Sequence, residues 1–92
     1  MKITLFTLTI ASSCSYGCDI DSSENFTDLD EAKKKMKEEF NHACKRFKDE
    51  IELDVDSIGK DLGETDFRVY DTDDTSLMTS GEIIENTIEI SL

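Results

Sequence analysis

MKITLFTLTIASSC, residues 1–14, is compatible with two opposite structures. Lys2 is the only charge before Asp19, and Ile3 to Ala11 form an apolar run diluted by Thr4, Thr7 and Thr9. A positive start, an apolar run of about 7–15 residues and small residues at the exit mark a secretory signal peptide. The same threonine alternation also suits a buried N-terminal strand. The first expectation is export, with residues 1–17 as a signal peptide cut before Cys14 or Cys18. The run is too short to span a membrane, which takes about 20 residues. The mature protein is then expected to be secreted or held at an extracytoplasmic surface.

Both cuts leave a cysteine first: Ala11 and Ser13 precede Cys14, and Ser15 and Gly17 precede Cys18. This pattern resembles the cleavage box of bacterial lipoproteins, whose new N-terminal cysteine receives lipid. The resemblance implies lipidation of Cys14 for the earlier cut, and a membrane association through that lipid alone. Thiols in an oxidising compartment tend to pair. A lipid on Cys14, or a cut before Cys18 without lipid, leaves Cys18 and Cys44 as a disulfide pair worth about 2–4 kcal/mol. A lipid on Cys18 leaves Cys44 alone. Asn25–Phe26–Thr27 is a glycosylation sequon.

The next stretch, residues 18–27, is expected to be a polar arm. Residues 28–51 carry Leu29, Ala32, Met36, Phe40, Ala43, Cys44, Phe47 and Ile51 at three- and four-residue steps, the stripe of an amphipathic helix. Thr27 or Asp28 can cap its start. Beyond it the period changes. IELDV (51–55), DFRVYD (66–71) and TIEISL (87–92) alternate, and Gly59, Gly63 and Gly81 punctuate them. Residues 28–92 are therefore expected to form a single small α+β domain: one long amphipathic helix packed on a small antiparallel three-stranded sheet.

Charge narrows the function. The chain has 22 acidic and 10 basic residues, a net of −12. Phosphate backbones would repel it, which argues against nucleic acid; cations and basic partners suit it better. The charge is bipolar. Residues 28–48 hold seven bases and five acids, whereas residues 49–92 hold fourteen acids against Lys60 and Arg68. The two halves are expected to attract each other.

One loop carries candidate chemistry. In residues 67–84, FRVYDTDDTSLMTSGEII, Asp71, Asp73, Thr75, Thr79 and Glu82 stand at positions one, three, five, nine and twelve of a loop that resembles the calcium-binding EF-hand of the calmodulin family. The resemblance implies calcium held by those five residues, Glu82 supplying two oxygens, and an all-α degenerate EF-hand as the alternative fold. Ser76 stands where that family has a turn-forming glycine. Asp71, Asp73 and Thr75 also resemble the nucleophile motif of haloacid-dehalogenase phosphatases, but only 17 residues follow Thr75, too few for that family's later motifs. A plain turn is the third reading, since Asp, Thr and Ser between strands favour Asx hydrogen bonds. His42 is the only histidine, with no second ligand at a useful spacing. No catalytic arrangement emerges. The expected function is a small acidic, non-enzymatic binding protein whose partner is a protein or a divalent cation.

Overall fold

The helix is the clearest product of the sequence. In the computed structural model, which describes residues 1–14 and 16–91, it is α1 (Leu29–Asp49). The Asp28 carboxylate accepts from the Asp30 N–H at 2.9 Å and caps it, and Asp30 and Glu31 face the positive end of its dipole. Its stripe buries Ala32, Met36, Ala43 and Phe47. The Glu50 and Ile51 N–H groups donate to the Arg46 carbonyl, and the Leu53 N–H donates to Phe47. Glu52 takes the left-handed conformation, φ 59°, which ends the helix.

That stop explains one correction. IELDV does not form a strand; it is the turn that closes α1, and its apolar Ile51 and Leu53 pack half-buried against the core. Alternating apolar and acidic residues satisfy such a turn as well as they satisfy a strand.

The larger correction is the sheet. Among the described residues it has five strands, not three, and the all-α alternative does not hold. The strands are β1 (Lys2–Cys14), β2 (Gly17–Phe26), β3 (Ile58–Leu62), β4 (Asp66–Asp71) and β5 (Met78–Glu89). Their order is β2-β1-β5-β4-β3, antiparallel throughout. The expected strand 66–71 is β4. The expected strand 87–92 contributes residues 87–89 to the end of β5; Leu92 lies outside the described residues. The stretch 1–14 supplies an interior strand, flanked by β2 and β5, and residues 18–26 lie within β2.

Helix and sheet make two layers. Leu8 and Ile10 of β1, Phe67 and Val69 of β4 and Ile83 of β5 meet the four buried helix residues in one core. The Phe40 and Phe67 rings meet edge to face at 5.7 Å. The alternation of β1 turns Leu8 and Ile10 toward α1 and Thr7 and Thr9 away from it. The threonines therefore mark a sheet face that the helix does not cover. Burying Leu8 and Ile10 contributes about 1.5–3 kcal/mol each.

Electrostatics add little to the union of the layers. The three ion pairs among the described residues are Lys35–Glu39, Arg46–Glu50 and Arg68–Asp61, and none joins α1 to the sheet. The expected attraction of the two halves is thus not made through direct pairs; apolar packing holds them.

Candidate functional site

The acidic turn between β4 and β5 is organised by its own side chains. The Asp71 carboxylate accepts from the Asp73 N–H at 2.9 Å. The Asp74 carboxylate accepts from the Ser76 N–H at 3.2 Å and from its hydroxyl at 2.6 Å. These are Asx turns, the local bonding expected of Asp and Ser between strands. Asp71, Asp73 and Thr75 stay together in this turn. Thr79 is buried within β5, its hydroxyl 3.3 Å from that of Ser12. Glu82 pairs in register with Asp66, five residues along β4 from Asp71, or about 17 Å away. The structure therefore gathers the first part of the candidate calcium loop and separates Glu82 from it. Among the described residues, no group of three or more His, Cys, Asp or Glu side chains is placed to hold a metal ion.

The cysteines are also apart. Cys18 is exposed on β2, at one edge of the sheet. Cys44 lies on α1 beside Ile58 and Lys60 of β3, at the other edge. Four strand spacings of about 4.8 Å separate those edges, whereas a disulfide needs Cα atoms within about 7 Å. All three cysteines are free thiols. Burial pushes the Cys44 thiol above its ordinary pKa, and the nearby Lys60 charge opposes this in part. Cys14 is exposed at the tip of the β1–β2 hairpin, facing Gly17.

A different site emerges between α1 and that hairpin. The pairing of β1 and β2 slips between Ile10 and Ala11, so that Asp21 is an extra residue without an opposite number. Such a bulge bends the strand and re-aims its side chain. The Asp21 carboxylate reaches the Ser12 hydroxyl as a result. Beside it a cleft of about 600 Å³ opens at the helix C-terminus, floored by Phe47, Ile51, Leu77 and Met78. A second hollow, lined by Glu39, His42, Ala43 and Arg46, shares Asp21, Arg46 and Thr79 with the first. Together they form one groove. One wall is the C-terminal half of α1, and the other is β2. The carboxylates of Asp19, Asp21 and Glu39 line it against the single guanidinium of Arg46, which leans on Glu50 at 3.6 Å. His42 stands exposed on the helix wall.

Beyond the groove, β2 is the outer edge of the sheet. Every residue from Gly17 to Asn25 is exposed, and its three charged side chains, Asp19, Asp21 and Glu24, are all acidic. The stretch reads as an arm in the sequence because Asp-Ser-Ser-Glu-Asn has no apolar alternation. An edge strand buries neither face fully and needs none. The available signal was Gly17 between two runs of extended-type residues, the turn of a hairpin. Comparison with known proteins finds no matching family model, no matching curated protein and no matching solved structure.

Proposed function

We propose that the protein is a small acidic, non-enzymatic binding protein that takes a basic, extended peptide segment along the outer edge of β2. The observation that carries this is the edge itself: ten residues long, exposed from Gly17 to Asn25, and charged only with carboxylates. Sheet edges left open are templates for a further strand, and natural proteins usually blunt them with lysine, proline or a cover. β2 has neither lysine nor proline. Its bulge at Asp21 adds twist but leaves the rest of the edge open. A strand added there forms main-chain hydrogen bonds, and pockets beside it select the side chains. The groove next to β2, with Asp19, Asp21 and Glu39 over an apolar floor, suits the stem and ammonium of a lysine. The overall charge of −12 would draw a basic segment in.

Peptide binding at this edge requires β1 in place. A cut before Cys14 or Cys18 would remove the strand that joins β2 to the rest of the sheet. The test is fluorescence anisotropy with a labelled peptide of alternating lysine and valine. It should bind, weaken as salt is raised, and lose about tenfold or more in affinity when Asp19, Asp21 and Glu24 are all changed to lysine. A peptide of alternating glutamate and valine should not bind. Equal binding of both peptides, or binding of neither, contradicts the proposal.

A further inference from the structure

The apolar side chains of the two central strands change faces at one level of the sheet. Phe6, Leu8 and Ile10 of β1 and Ile83 of β5 turn toward α1. Beyond them the alternation reverses. Met1, Ile3 and Leu5 lie on the opposite face, and so do Ile84, Ile88 and Ile90. Ile3 pairs directly with Ile88, and the Ile90 N–H donates to the Met1 carbonyl at 2.7 Å. Here β1 and β5 run on as a two-stranded ribbon, because β2 ends opposite Phe6 and β4 begins opposite Glu82. Among the described residues no helix or further strand packs on this stripe: Ile3 and Leu5 are half-buried, whereas Met1 is 73% exposed, Ile84 46% and Ile88 47%. Two strands in phase with each other make it a face rather than a scatter of single exposed residues.

We infer that this stripe is the contact surface of a homodimer, in which a second copy seats its own stripe face to face on the first. Charge selects that occupant. No ionisable side chain lies on this face from Met1 to Thr9 or from Ile84 to Ile90, so a partner chosen by the acidity of the protein finds no purchase there. The densest carboxylates, Glu50–Asp56 and Asp71–Asp74, lie at the other end of a molecule 54 Å long. Two copies meeting at their ribbons keep those ends several Debye lengths apart, at about 10 Å each in 0.1 M salt. An apolar stripe with no charge pattern is complementary to itself, as a two-fold contact requires, and stacked sheets accept such packing. The stripe measures about 30 Å by 10 Å. Two such faces fall in the small class of interface, below about 1,200 Å² in total, so the dimer is weak and reversible.

Sedimentation analysis of the full chain from about 5 to 500 μM tests this. The mean mass should rise from 10.4 kDa toward twice that value as concentration increases. Added salt should strengthen the association by screening like-charged copies. Ile84→Asp and Ile88→Asp should each weaken it by about tenfold or more, and Ile88→Thr, which keeps strand propensity, should act in the same direction. Tyr16→Asp, at the opposite end and 97% exposed, should leave it unchanged. A protein that stays monomeric at every concentration overturns the inference, and so does a dimer indifferent to the Ile84 and Ile88 substitutions.

Discussion

Phe67 and Ile10 reach toward each other over Gly81, which sits between them on the helix-facing side of β5. A Cβ at Gly81 would overlap the Phe67 ring and stand 2.9 Å from Ile10 Cδ1. The glycine is therefore a space left for two core side chains. Gly81→Ala should destabilise the protein by about 1–3 kcal/mol through overpacking, measured as a lower urea midpoint with an unchanged slope. Cys44 gives the second prediction at this scale. Burial raises its pKa above the ordinary value, so its thiolate is scarce near neutrality. In the folded protein, Cys44 should react with iodoacetamide more slowly than the exposed Cys14 and Cys18, and should need a higher pH than an ordinary thiol to speed up. Below the ordinary thiol pKa both folded and unfolded chains hold the proton. Above it the unfolded chain releases the proton first, so this group's contribution to stability is lost as pH climbs.

At the scale of elements, legibility depended on burial. α1 was open to prediction because one face is buried over five turns, and a period of 3.6 survives in its apolar residues. β4 was legible for the same reason at a period of two: Phe67 and Val69 are buried, whereas Asp66 and Arg68 are not. β1 was ambiguous because an interior strand that mixes Thr with apolar residues has the same composition as a leader's apolar run. β2 was hidden because an exposed edge imposes no pattern. The acidic turn drew attention as a calcium loop through the spacing of its oxygens, yet spacing along a chain says nothing of distance once Glu82 is carried off on β5. The decisive element is β1. Leu8→Ala should cost about 2–5 kcal/mol, as expected for a core leucine 2% exposed. Were residues 1–13 a disposable leader, the same substitution would leave the unfolding midpoint of the mature protein where it was.

The whole molecule is a two-layer body with one helix-covered face and one open face, 54 Å long and 18 Å thick. Its two candidate contact regions lie on different parts of that body. The β2 edge and its groove lie beside the C-terminal half of α1, and the apolar face of the ribbon lies at the other end. Both depend on β1, which forms the inner neighbour of β2 and half of the ribbon. Both therefore require β1 to be an interior strand of the folded protein. Amide hydrogen exchange along the full chain measures this most directly. The amides of Leu8 and Ile10 should fall in the slowest class, exchanging together with those of Phe47, Phe67 and Ile83 through global unfolding. Exchange of residues 2–14 at the rate of an open chain, while α1 and β4 stay protected, would contradict the account.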